Sequence, residues 1–356
     1  MINIMCPINQ LGYGITGLNL VKALSNITDV SLTCIGQPQV TNQADADIIS
    51  SCIMNSKYLN FEAPAIKIWH QHDMSQFPGK GQRIGFPIFE LDEFSAIEKH
   101  HLQSLDKIFV CSEWAKSIIL ANINISKENV SVVPLGVDNT IFKPLAGMTS
   151  SDKTIFLNCG KWEIRKGHDI LSSIFNLAFS SVDNVELWMM CENPFLSQSE
   201  SEDWTKLYTS SKLGDKIKII PRMQTQQEVY NIMNGVDCGI FPSRAEGWNL
   251  ELLEMMACGK SVISTKYSAH TEFCNPNNAK LIDITDLEYA YDGKWFHGKC
   301  GSWAKITNAH IEQFAMLMKE VHAEKQANVL KMNENGIATA AKYNWKHSAK
   351  LVQSYV

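Results

Sequence analysis

Short apolar runs alternate with longer amphipathic stretches over the first part of the chain. The runs with strand-like composition occupy positions 2–6, 31–35, 66–69 and 108–111. Residues 15–24, and a stretch that begins at Ser112, show the apolar spacing of helices that bury one face. Because strands that alternate with helices form parallel sheets, this pattern predicts a doubly wound α/β domain.

The same alternation restarts after a polar break at residues 147–153, which is the best candidate for an interdomain linker. Beyond it we predict strands at 154–159, 185–191, 216–221, 238–241 and 261–264, with helices near 168–179, 225–234 and 249–258. The sequence therefore predicts an α/β protein with two Rossmann-like, doubly wound domains that face each other across a central cleft.

One predicted helix has unusually clear boundaries. It follows the apolar run 238–241 and a turn rich in small and polar residues. Asn249 is a good N-cap, and Gly259 stands where a left-handed residue commonly ends a helix. The helix should therefore begin near Asn249, at the carboxyl end of a buried strand.

Two acids bracket this helix start, Glu246 in the turn and Glu254 inside the helix. Backbone amides at residues 248–250 would point at a ligand there, so an anionic diphosphate suits the place, and Glu254 could bind a vicinal diol such as ribose. The alternative is an amphipathic helix with two solvated acids. That alternative explains Glu254 but leaves Glu246 and the turn without a reason.

The segment from Glu246 to Glu254 resembles the E-x7-E signature of retaining GT-B glycosyltransferases, most closely glycosyltransferase family 4. Residues 160–167 resemble the family's G-R-x-x-x-x-K-G loop, with Lys161 in place of the usual Arg. Residues 134–144 resemble its interdomain junction, and residues 343–348 the start of its closing helix. These motifs occur in the family's order.

The resemblance implies the GT-B fold and assigns the domains. Residues 1–146 would form the acceptor-side domain, and residues 153–335 the domain that binds the nucleotide sugar. Residues 336–356 would form a C-terminal helix that packs back towards the first domain.

The resemblance also implies a transferase that moves a hexosyl or pentosyl group to a hydroxyl acceptor with retention of anomeric configuration. The expected co-substrate is a UDP- or GDP-sugar, with no tightly bound cofactor and no metal. Predicted catalytic residues are Glu246, Lys166 and His72. Predicted donor-binding residues are Gly14, Lys161, Arg165, Lys166, Trp248, Asn249, Leu250 and Glu254.

Two histidines, His70 and His72, alternate on what the pattern indicates is a strand end, so both rings should point to one side, next to Asp73. A two-histidine metal site lacks a third ligand. We expect one histidine to contact the donor sugar or relay a proton, although satisfied structural histidines are an equal alternative. His70, Asp73 and Glu90 are assigned to the acceptor side.

Residues 12–17 have the form G-x-G-x-x-G after a strand and before a helix, which raises a nicotinamide dehydrogenase as an alternative. The ribose-binding acid of such enzymes is missing, because the second strand ends in Ile35, Gly36 and Gln37. A glycine loop that lets the backbone approach the sugar is the better interpretation, and a tight turn is the alternative. Asp45 and Asp47 mimic a D-x-D metal motif, but they are expected to be solvated acids before a strand.

The 356 residues are 45% apolar, enough for two cores, and the net charge of −5 gives no general footprint for nucleic acid. Ten irregularly spaced cysteines indicate reduced core thiols in a cytoplasmic protein. No run predicts a membrane span.

A glycan or glycoconjugate is the favoured acceptor. One alternative is a hydroxymethylated base in DNA, which residues 99–101 and the tryptophans could help to bind. Another is a non-catalytic protein that binds nucleotide sugars. The identities of donor and acceptor, the linkage and the oligomeric state are not set by these motifs.

Overall fold

The computed structural model describes residues 1–145 and 151–356, which divide into two compact units. The first comprises residues 1–138 and 342–356, and the second residues 139–341. The division after Asp138 falls inside the junction-like segment 134–144. Part of the predicted linker at 147–153, and the predicted domain end at 146, lie outside the described residues.

The first unit contains a six-stranded parallel sheet. Its elements before Asp138 are β1 (Ile2–Cys6), α1 (Gly12–Ser25), β2 (Val30–Cys34), α2 (Gln43–Asn55), β3 (Ala65–Lys67), β4 (Arg83–Gly85), α3 (Ala96–Gln103), β5 (Lys107–Val110), α4 (Glu113–Asn122) and β6 (Val130–Val132). The strand order is β2-β1-β3-β4-β5-β6, and every pairing is parallel. The predicted parallel sheet is confirmed, although the sequence pattern missed the three-residue strands β4 and β6.

The second unit contains another six-stranded parallel sheet and a hairpin. Its elements are β7 (Thr154–Gly160), α5 (His168–Ala178), β8 (Val185–Cys191), α6 (Gln198–Thr209), β9 (Ile217–Ile220), α7 (Gln226–Asn234), β10 (Cys238–Phe241), α8 (Leu250–Ala257), β11 (Ser261–Lys266), α9 (His270–Phe273), β12 (Lys280–Asp283), β13 (Leu287–Tyr291), β14 (His297–Ala304), α10 (Asn308–Gln326) and α11 (Glu334–Lys342). The chain closes with α12 (Trp345–Tyr355), which packs against α1 in the first unit.

The second sheet has the order β12-β11-β10-β7-β8-β9. Numbered within the unit, this is the 3-2-1-4-5-6 order of Rossmann folds, with β7 and β10 as the central pair. Its core joins aromatic residues such as Phe156 and Phe175 with aliphatic residues of the strands. Two parallel-sheet, Rossmann-like domains are therefore confirmed.

Three local predictions are wrong. Residues 12–17 do not precede a helix, because α1 begins at Gly12 and contains Gly14 and Gly17. Asp45 and Asp47 lie in α2 rather than before a strand, and Asp45 forms an ion pair with Lys22. His70 and His72 were predicted at the end of a strand, but that strand, β3, already ends at Lys67, so both histidines lie in the following loop.

The glycines of α1 are explained by packing. A Cβ atom at Gly14 would lie 2.4 Å from the backbone N of Asn9, and one at Gly17 would lie 2.3 Å from the carbonyl oxygen of Pro7. By contrast, a Cβ at Gly12 would meet nothing within 4 Å. Small residues therefore let α1 approach the loop that leaves β1.

We predict that Gly14→Ala lowers the free energy of unfolding by about 1–3 kcal/mol, because the added methyl group overlaps backbone atoms. Gly12→Ala is the matched control and should be neutral or slightly stabilising, since alanine favours helix. Urea unfolding followed by circular dichroism measures both. Equal stability of the two variants would contradict this account.

Candidate nucleotide-sugar site

The candidate site of the second unit lies where its central strands end. Strands β7 and β10 are parallel neighbours, with Gly239 opposite Leu157. The loops after them, residues 161–167 and 242–249, therefore leave the same edge of the sheet at its topological switch point, where ligands of such folds bind.

Two glycines shape the first of these loops. Gly160 and Gly167 have φ angles of 137° and 75°, in the region that favours glycine. A Cβ at Gly167 would lie 2.2 Å from the carbonyl oxygen of Pro242, so only glycine lets the two loops touch. The amide of Arg244 donates a 2.7 Å hydrogen bond to the carbonyl oxygen of Arg165 and joins the loops.

Glu246 links the loops by charge. Its Oε2 lies 2.7 Å from Nη1 of Arg165, and its Oε1 lies 3.0 Å from Nζ of Lys166. Ser243 donates a further hydrogen bond of 2.9 Å to Oε1. All three charged residues are at least nine-tenths buried. The structure thus brings together three of the residues that the sequence predicted.

A second carboxylate extends the network. Oε2 of Glu163 lies 2.6 Å from Nη2 of Arg165, and its Oε1 lies 2.8 Å from Nζ of Lys161. Positive and negative side chains alternate along this series of contacts. We call its five members the charge network: Lys161, Glu163, Arg165, Glu246 and Lys166. Three cations and two carboxylates leave one positive charge. Sequence reasoning missed Glu163, although its place between Lys161 and Arg165 was a usable signal.

The network holds its members ionised. Burial alone would raise the pKa of Glu246, but Arg165 and Lys166 outweigh it and keep that pKa far below its usual range. Burial would lower the pKa of Lys166, and Glu246 instead raises it. Burial opposes ionisation of Glu163 as well, yet Arg165 and Lys161 lower its pKa to about 2.

The start of α8 completes this edge of the site. Asn249 has a φ of 80°, and its side chain accepts a 3.1 Å hydrogen bond from the amide of Leu252, so the predicted N-cap is confirmed. Its Nδ2 lies 2.9 Å from Nε2 of His270, whose Nδ1 is 2.9 Å from the carbonyl oxygen of Thr265. Because burial lowers the pKa of His270, the neutral ring can donate to Thr265 and accept from Asn249. His270 was not anticipated from the sequence.

The remaining predicted donor residues here are Trp248, which precedes α8, and Leu250 and Glu254 within it; all three are buried. Trp248 is buried, and its ring packs 4.9 Å from that of Phe273, so its side chain belongs to the core. Glu254 is also buried, and burial, followed by the charge of Glu251, raises its pKa well above the usual range. A carboxyl group that retains its proton can both donate and accept hydrogen bonds.

The predicted acceptor-side residues and His72 lie in the first unit. The rings of His70 and His72 stack with centroids 5.3 Å apart, so they do share one side, and Tyr13 lies 4.7 Å from His70. Asp73 pairs with the buried Lys67 at 3.2 Å. The Tyr13 hydroxyl donates a 2.8 Å hydrogen bond to the carbonyl oxygen of Ile88, which ties the loop before Glu90 to α1 beside Gly14.

Within residues 1–145 and 151–356, no group of three or more His, Cys, Asp or Glu side chains could hold a metal ion. The same ranges contain no helix whose length and apolar character would let it cross a membrane.

Part of the second unit matches a known protein family. Residues 153–290 match the family described as glycosyl transferases group 1. A curated relative, MMP alpha-(1->4)-mannosyltransferase of Mycolicibacterium hassiacum, is 22% identical over 197 residues, 55% of this chain and 46% of the relative. The chain thus spans about half the length of the first curated relatives it matches.

Solved structures define the fold. Sucrose-phosphate synthase from Thermosynechococcus elongatus superposes with a TM-score of 0.71 at 16% identity, covering 99% of this chain and 97% of that one. Anabaena HepE in complex with UDP and glucose gives 0.69 at 12% identity, covering 99% and 98%. The fold is that of GT-B glycosyltransferases, and the match at 153–290 supports a glycosyltransferase of the group 1 kind.

A buried histidine beneath the charge network generates a pH prediction. Nδ1 of His168 accepts a 3.1 Å hydrogen bond from the amide of Glu163, and its Nε2 lies 2.8 Å from Oδ1 of Asn158. Burial and the charge of Lys166 lower its pKa to about 3. The unfolded chain, with a histidine pKa near 6.5, therefore binds more protons below that pH.

We expect His168 to contribute stability at pH 7 that is lost as the pH falls from about 6.5 towards 3, by about 2 kcal/mol at pH 5. Urea unfolding between pH 7 and pH 5 measures the slope. His168→Gln should flatten it, whereas His347→Gln, which alters a histidine on the exposed side of α12, serves as the control. Identical slopes for His168→Gln and wild type would contradict the assignment.

Proposed function

We propose that the chain is a retaining glycosyltransferase that moves a sugar from a nucleoside diphosphate sugar to a hydroxyl group of a glycan or glycoconjugate. The observation that carries the proposal is the charge network, which has one net positive charge beside the start of α8 and in which every side chain except that of Lys161 is nearly buried. A diphosphate supplies the negative charge that such a place lacks.

Cleavage of the bond between the anomeric carbon and the phosphate increases the negative charge of the departing diphosphate. Lys161, Arg165 and Lys166, together with the first amides of α8, would stabilise that charge. Each charge-assisted contact supplies about 1.5–3 kcal/mol. Lys161 is the most accessible of the three cations, with 38% of its side chain exposed.

Glu246 would act at the sugar. Its ionised carboxylate, fixed by two cations and Ser243, can bind sugar hydroxyls and oppose the positive charge that develops on the ring. We infer same-face attack with the leaving phosphate as the base, which retains configuration and suits a hexosyl or pentosyl donor.

Glu254 would bind the ribose of the donor. Its raised pKa provides a carboxyl group that can both donate to and accept from a vicinal diol. UDP in the fold relative HepE supports a nucleoside diphosphate as the leaving group, and we keep both UDP- and GDP-sugars as donor classes.

The first unit would supply the acceptor side. In this proposal His72 contacts the donor sugar or relays a proton. His70, Asp73 and Glu90 face the acceptor. Gly14 lets the backbone of the first unit come close to the donor sugar. We also place the protein in the cytoplasm, because eight of the ten cysteines are buried and behave as small core residues that a reducing compartment preserves.

Glu246→Gln should lower the turnover number by about 10²–10³-fold, because a neutral amide cannot oppose the developing positive charge. Affinity for the nucleoside diphosphate should be kept or increased, since the change makes the network more positive. Multiple-turnover release of nucleoside diphosphate from a panel of donor sugars measures the first quantity, and calorimetric titration the second.

Glu312→Gln is the matched control, because it makes the same change at an exposed position on α10. Circular dichroism must show both variants folded at the assay temperature, since removing one partner of a buried ion pair can cost about 3–5 kcal/mol. Wild-type turnover in Glu246→Gln would remove the proposed role. Inversion of the anomeric centre, detected by proton NMR of the first product, would contradict retention.

A further inference from the structure

The second unit contains a cavity that borders the proposed donor site and shares only Glu163 with the charge network. It has a volume of about 410 Å³ and lies between the loop 161–167, α6 and the tip of the β13–β14 hairpin. The described residues around it include none of the predicted donor-binding set. Its volume falls within the range of roughly 300–1,000 Å³ that is usual for small-ligand sites.

Trp162, Trp204 and Trp295 line the cavity. Trp162 is a buried core residue that stacks on Trp204 with centroids 5.6 Å apart, so it supports the wall and offers no free face. Trp295, at the hairpin tip, is 48% exposed, with Nζ of Lys294 5.7 Å from its ring centroid, and it offers the accessible ring. Aromatic rings offer flat apolar faces whose negative charge attracts polarised C–H bonds, such as those on the face of a sugar ring.

Five carboxylates line the cavity, and three of them are paired with a cation. Asp169 forms a bidentate pair with Arg244 at 2.7 and 2.8 Å, and Glu200 lies 2.6 Å from Nζ of Lys294. Glu163 belongs to the charge network, and Asp292 accepts three hydrogen bonds from the hairpin backbone. Asp203 is exposed and, in the described ranges, has no such partner.

This arrangement selects a chemical class of ligand. An anion such as a nucleotide would be repelled by the carboxylate oxygens. Within the described ranges a cation would find only Asp203 and Asp292 without a cationic partner, and three backbone amides already hold Asp292. A carboxylate that already accepts one or two hydrogen bonds still has free lone pairs, which can accept hydrogen bonds from the hydroxyl groups of a sugar.

We propose that the cavity binds a sugar unit of a neutral glycan, and that this glycan is the acceptor, held in the cavity at a unit other than the one whose hydroxyl reacts beside the first unit. The binding of glycan follows from the cavity itself. Its role as the acceptor rests on the proposed glycosyltransferase function.

The test is calorimetric titration of the full chain with maltohexaose, cellohexaose, mannohexaose and chitohexaose, and with spermine as a cationic competitor. At least one hexasaccharide should bind. Trp295→Ala should weaken that binding about tenfold, or about 1.4 kcal/mol, through loss of one ring face. Asp203→Asn should weaken it less, because the amide still accepts hydrogen bonds.

Tyr289→Ala is the matched control, because Tyr289 is 70% exposed on strand β13 of the same hairpin and does not line the cavity. It should bind the glycan like wild type. In a transfer assay, Trp295→Ala should raise the KM for that glycan and leave kcat unchanged.

Several results would overturn the inference: no hexasaccharide of the panel binds, Trp295→Ala binds like wild type, or spermine binds and excludes the glycan. Thermal unfolding with UDP and GDP on the same samples separates the two proposals. Nucleotide stabilisation without glycan binding would defeat only the cavity assignment. Glycan binding without nucleotide stabilisation would defeat the transferase proposal and the acceptor role with it.

Discussion

The charge network is the interaction on which the second unit's site depends. Burying Glu246, Arg165 and Lys166 gives no clear stability advantage, since apolar residues of similar size often serve a fold equally well or better. Removing one partner, however, leaves a buried charge uncompensated. The network is therefore better explained by a ligand that uses its excess positive charge than by stability of the fold.

Sheet topology brings the network together. Strands β7 and β10 are neighbours, so their loops leave the same edge, and Gly167 lets those loops meet at Pro242. Asn249 then starts α8 from a left-handed conformation, held by its own cap and by His270. The backbone thus holds the charge network and the start of α8 at one edge of the sheet before any ligand arrives, and the proposed electrostatic catalysis would require such preorganisation.

The sequence predicted the long buried strands well, because apolar runs such as Val185–Cys191 and Cys238–Phe241 have sharp polar boundaries. Three-residue strands such as Arg83–Gly85 carry too little pattern to detect. In the site, motif spacing identified Glu246, Arg165 and Lys166, whose mutual contacts the structure shows. It could not find His270, because that contact depends on where β11 and α9 bring a residue distant in sequence.

In the proposed function the cations of the charge network hold a diphosphate. Calorimetry on wild type and Lys166→Met, with a nucleoside diphosphate and with the nucleoside of the same base, tests this role. We expect Lys166→Met to weaken binding of the diphosphate alone, by about tenfold or more. Equal weakening of both ligands, or of neither, would contradict it.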